Sequence, residues 1–133
     1  MNEQIDSFNR SFERTVEGRD FEFFDSFYHR FLGASAVAAQ KFSKTNMKRQ
    51  KEMMRASLIE LMQFYVSGVP NEYMKRVAAI HGRSAHNITR AHYLEWLDSL
   101  LETVKEFDPE FDDNVELAWR VILSPGIAYL SHY

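Results

Sequence analysis

His81 is the residue best placed to do chemistry: it ends the run Val77-Ala78-Ala79-Ile80-His81 and shares one helical stripe with Met74, Val77 and Ala78. A neutral imidazole in that position can turn into the core and coordinate a metal, or it can be a core residue whose ring is satisfied by a backbone carbonyl. The chain has no Cys, which removes disulfides, zinc–thiolate sites, iron–sulfur clusters and thiol catalysis together. A metal would have to use His or carboxylates. Asp112, Asp113 and Glu116 do not offer a metal site: they read as charges at a helix start, where they complement the helix dipole.

Holding His81 in a core takes helices, and the chain is built for them. It has five Gly and three Pro in 133 residues, and Glu, Lys, Arg, Met, Leu and Ala dominate its middle. Apolar spacing predicts a first helix over about 2–16, closed by Glu17-Gly18, a second over about 20–33, ended by Gly33, and a short third over about 35–41. A long helix capped by Thr45 or Asn46 repeats Met47, Met54, Leu58, Leu61, Met62 and Tyr65, and stops at Ser67-Gly68. Pro70 is expected to open the helix that carries His81, which ends near Gly82. After the polar stretch Arg83–Asn87, Thr89 caps a helix to about 106, and Asp108-Pro109 breaks it. A last helix runs from about 112, with a kink expected at Pro125. The class expected is all-α, six or seven unequal helices around one core, in a single domain over residues 1–133.

Hydrophobic residues make up 45% of the chain and aromatics 14%, including 11 Phe, enough apolar mass to wall a buried cavity. Phe8, Phe12, Phe21, Phe23, Phe31, Phe64 and Phe107 read as core or partner-facing packing, and Trp119 as a core anchor. The net charge of −3, with acids and bases interleaved along the chain, offers no field for nucleic acid and no polybasic membrane patch. There is no apolar run long enough to span a membrane, and Met1–Asn9 lacks a signal pattern, so a cytoplasmic protein is expected.

Beyond His81, several segments fall in a recognisable order. Phe24-Asp25-Ser26-Phe27-Tyr28-His29-Arg30-Phe31-Leu32 comes first, and Phe42 follows Tyr28 by 14 residues. Arg49-Gln50-Lys51-Glu52-Met53-Met54 and Ser57-Leu58 come next; His81 stands about thirty residues after Gln50, followed by Ile88, Tyr93, Trp96 and Trp119. In this order and spacing the chain resembles the bacterial single-domain globins, similar to the heme domain of flavohemoglobins, over nearly its whole length. The resemblance implies a heme b cofactor (iron protoporphyrin IX) ligated by His81. It assigns Phe42 to packing flat on the porphyrin, Tyr28 and Gln50 to the ligand-facing side, and Met54 to a position one turn beyond Gln50. Met54, Val77, Ile88 and Trp96 become candidate pocket walls; Met53 or Met54 could approach the iron, although Met at helical spacing is more often core filler. The interval after His81 is slightly longer than the globin pattern, so Gly82–Asn87 should bulge and His86 becomes a rival ligand. His81 is preferred because it ends an apolar stripe, whereas His86 lies in a polar segment.

The implied activity is reversible binding of oxygen, nitric oxide or carbon monoxide, for storage, delivery or sensing. A Tyr hydroxyl or Gln amide stabilises the partial negative charge on such a ligand by about 1–3 kcal/mol in a low-dielectric pocket. The alternative is a nitric oxide dioxygenase, which would need an external reductase because no reductase domain follows. Flavohemoglobins polarise the proximal His through a Tyr and a late Glu; Tyr93 matches the Tyr, but Val121–Tyr133 contains no Asp or Glu. A globin-shaped module without heme, working through protein contacts, is a third reading. A monomer or homodimer suits all three, with aromatics on the first two helices as a possible dimer surface.

Overall fold

Among the described residues, six of the seven α-helices begin at a short polar side chain that accepts a hydrogen bond from the first turn, replacing the carbonyl the turn lacks. The computed structural model describes residues 2–82 and 88–132, and no strand forms among them. Asn2 caps α1 (Glu3–Phe12), which continues through a π-helical turn, Glu13–Glu17. After Arg19, which makes no side-chain cap, comes α2 (Asp20–Ala34). Ser35 caps α3 (Ala36–Lys41), Asn46 caps α4 (Met47–Ser67) and Asn71 caps α5 (Glu72–His81). Thr89 caps α6 (Arg90–Phe107) and Asp112 caps α7 (Asp113–Ser131).

Three boundaries differ from the sequence reading, each for a local reason. Pro70 lies ahead of α5 instead of opening it, because the Asn71 side chain is the group that accepts the Met74 N–H. Gly33 stays inside α2, and the chain turns at Ser35, whose extended backbone and hydroxyl serve α3. The first helix changes pitch at Glu13, a one-residue excess typical of π turns. Gly68 ends α4 with φ 71°, the left-handed conformation that a side chain resists. α7 runs on past Pro125 to Ser131.

The helices cross in a few main pairs: α1 on α7, α2 on α6 and α4 on α7. Trp119 is fully buried with Phe8 against it, ring centroids 4.6 Å apart. Its indole N–H donates to Ser11 Oγ at 2.9 Å, and Ser11 in turn donates to the buried Asp108 carboxylate at 2.7 Å. Arg14 closes this knot with two bonds to Asp108, 2.6 and 2.9 Å. α4 and α7 meet closely at Gly126, where any Cβ would overlap Leu61 Cδ2. Phe21 stays out of the core at 64% exposure, while Phe8, Phe12, Phe23 and Phe31 are buried and Phe64 and Phe107 half-buried. No helix among the described residues is long and apolar enough to cross a membrane.

Candidate functional site

Between α2, α3, α4, α5 and α6 the core opens into a cavity of about 380 Å³, which Ile127 and Leu130 of α7 also line. That volume falls in the range of small-molecule and cofactor sites, about 300–1,000 Å³. Its wall is mostly apolar, and the periodicity of each helix explains what faces it. On α4, Gln50, Met54, Ser57 and Leu61 recur at spacings of three and four; on α5, Tyr73, Val77 and His81 recur at four.

All ten residues singled out from the sequence, Tyr28, Phe42, Gln50, Met53, Met54, Val77, His81, Ile88, Tyr93 and Trp96, line this one cavity. Tyr28 and Met54 are deeply buried, at 4% and 3% exposure, and Met53 sits half-exposed at 50%. The Phe42 ring lies edge-on to Tyr28 at 5.9 Å. Arg49 is exposed and does not line the cavity. Arg83 and the rival ligand His86 lie outside the described residues. Among the described residues, Ile88 N–H donates to the His81 carbonyl at 2.8 Å.

Two polar pairs carry the chemistry. Gln50 Nε2 donates to the Tyr28 hydroxyl oxygen at 3.2 Å, so the amide occupies the phenol's acceptor and leaves its proton for another partner. Burial pushes the Tyr28 hydroxyl up to about 12, partly offset by the Gln50 bond, so it stays protonated at any physiological pH. The second pair joins α5 to α6. His81 Nδ1 lies 3.0 Å from the Tyr93 hydroxyl, and burial raises the Tyr93 phenol well above its ordinary value. Tyr93 therefore remains a neutral phenol beside the imidazole.

Sequence reasoning missed a third pair. Ser57 Oγ and the Tyr73 hydroxyl stand 2.6 Å apart in the cavity wall and tie the start of α5 to the middle of α4. The signal was present: Tyr73 precedes His81 by eight residues, and Ser57 follows Gln50 by seven, so both are two turns from residues already chosen. His92 was also missed. It lines the cavity and takes the third position of the α6 capping box, where its Nδ1 accepts the Thr89 N–H at 3.0 Å.

No family model matches the chain, and no curated protein sequence matches it either. Among solved structures the chain is similar to a protein of Pseudomonas aeruginosa PAO1 described as structurally highly homologous to a human hemoglobin. The two share 32% sequence identity with a TM-score of 0.90, over 98% of this chain and 97% of that one.

Proposed function

The chain belongs to the globin family, and from that premise we propose that it holds one heme through His81 and binds diatomic gases reversibly beside Tyr28 and Gln50. The observation that carries this reading is the convergence of His81, with its Nδ1 engaged by Tyr93, on the same apolar cavity as the Tyr28–Gln50 pair.

The residues present fit such a group. Among the described residues no three His, Asp or Glu side chains are grouped to hold a bare metal ion, so His81 offers a single bond. One imidazole on an apolar wall suits a metal that arrives with a planar ligand of its own. Heme, when bound, supplies a ferrous iron with a coordination position open to a small gas. His81 contributes Nε2 as the donor atom, because Nδ1 is the nitrogen turned to Tyr93. With Nε2 committed, the ring proton stays on Nδ1 and is donated to the Tyr93 oxygen, which fixes tautomer and ring orientation together. Phe42, Met54, Val77 and Trp96 exclude water from the faces of the pocket. Tyr28, whose oxygen already accepts from Gln50, keeps its proton for a ligand with partial negative charge.

The same Tyr28–Gln50 pair supports a second reading, nitric oxide dioxygenation with electrons returned by a separate reductase. Residues 121–133 hold no acid that could draw the proton from Tyr93 and make His81 more strongly donating, which favours gas binding. The test is to load the protein with heme, reduce it, and follow its absorption under oxygen. A complex that forms and is reversed by removing oxygen is expected; immediate oxidation without such a complex contradicts the reading.

A further inference from the structure

The charge of this chain is unevenly placed. Residues 41–55 hold six of the sixteen Lys and Arg and one of the nineteen Asp and Glu, so a corner of net charge +5 belongs to a chain of net charge −3, leaving −8 on the rest. This corner is the end of α3 and the first half of α4. Two of its cations are tied down, Lys51 to Asp25 at 2.6 Å and Arg55 to Glu17 at 2.9 Å. Lys44, Lys48 and Arg49 are exposed and make no ion pair among the described residues.

Fold stability does not ask for these charges. Lys48 and Arg49 stand in the first turn of α4, which contains no acid, and there the helix dipole favours acids and opposes cations. Their positions alternate with residues that line the cavity, Lys41, Phe42, Thr45, Gln50 and Met53, so the cations rim its opening. Val37 and Met53 line the same cavity and are exposed at 42% and 50%. Exposed apolar side chains beside an excess of positive charge are the anatomy of a transient, electrostatically steered interface.

We propose that the α3–α4 corner is the docking surface for an acidic electron-donor protein, one whose flavin or iron–sulfur group lies beneath a negatively charged face. The proposal rests on the heme reading: the donor loses one electron, the ferric centre gains it, and no bond is made or broken. A compact protein fits better than an extended polyanion or an anionic membrane, because the −8 carried by the rest of the chain repels anything that reaches past the corner. Steering of this kind raises association rates about tenfold to a thousandfold and weakens as salt is added.

The test mixes the ferric, heme-loaded protein with reduced flavodoxin, as the acidic probe, and separately with reduced riboflavin, a small neutral donor, in a stopped-flow instrument. In the wild type the rate with flavodoxin should fall as salt is added. In the triple variant K44E/K48E/R49E it should drop about tenfold or more at low salt, with the riboflavin rate and the absorption spectrum unchanged. Equal flavodoxin rates in the two proteins overturn the proposal. If the chain takes up no heme, its spectrum shows that the premise has failed, and the surface is read by flavin fluorescence on adding oxidised flavodoxin. Salt-sensitive binding that the variant loses then supports the surface; equal binding, no binding, or a preference for phosphatidylglycerol vesicles overturns it.

Discussion

The Tyr93 hydroxyl lies 3.0 Å from His81 Nδ1, joining the last residue of α5 to the first turn of α6 across the wall of the cavity. α5 packs chiefly on α7 and is tied to α4 by the Ser57–Tyr73 pair, so a tyrosine hydrogen bond holds it at each end. The orientation of the His81 ring depends on the bond to Tyr93. Removing it in Tyr93→Phe should speed loss of heme to excess apomyoglobin by about 10–100-fold, the usual effect of deleting a group that orients a metal ligand. An unchanged rate of loss would remove Tyr93 from that role.

Tyr28 and Gln50 should contribute unequally to ligand retention. Tyr28 keeps a donor for the ligand, whereas Gln50 spends its amide on the Tyr28 oxygen. Tyr28→Phe should therefore raise the oxygen dissociation rate about 5–150-fold, corresponding to about 1–3 kcal/mol. Gln50→Leu should raise it less, and the double variant should fall short of the two effects combined. Flash photolysis with stopped-flow mixing measures all four proteins; a larger effect from Gln50 would reverse the assignment.

Acid stability should depend on Asp108. Burial alone would raise its carboxyl, but hydrogen bonds from Arg14, Ser11 and the Glu110 N–H outweigh burial and hold it below the ordinary carboxylate value. A group depressed in the folded state stabilises the fold above its unfolded value, about 3.9, and loses that contribution as pH falls through the lower folded value. Denaturation curves should show the wild type weakening below about pH 4. Asp108→Asn should cost about 1–3 kcal/mol at neutral pH and make the acid limb flatter. A variant with the same acid limb as the wild type would place the titration elsewhere.

The site was legible in the sequence wherever a functional side chain also obeyed a helical period. His81 follows Val77 by four residues on one helical stripe, and Tyr28, Gln50 and Met54 kept the spacing of a known family, so these five side chains were expected in one pocket and they line one cavity. Helical spacing put Ser57 and Tyr73 on the stripes of Gln50 and His81, but nothing in either residue named its partner, sixteen residues away on another helix. The same limit hid the Ser11–Asp108–Arg14 knot under Trp119, where groups some hundred residues apart in sequence satisfy one another. His92 escaped because a capping box is ordinarily sought as Glu or Gln at its third position. Phe21 was grouped with the packing residues by type alone, and its neighbours in α2 filled the core without it.

Ligation through His81 is read from the ferrous absorption spectra of His81→Gly and His86→Ala, with and without added imidazole. His86→Ala should keep the wild-type spectrum, whereas His81→Gly should lose the histidine-ligated spectrum and regain it when imidazole fills the vacated position. A His81→Gly protein that retains the wild-type spectrum without imidazole would contradict ligation through His81.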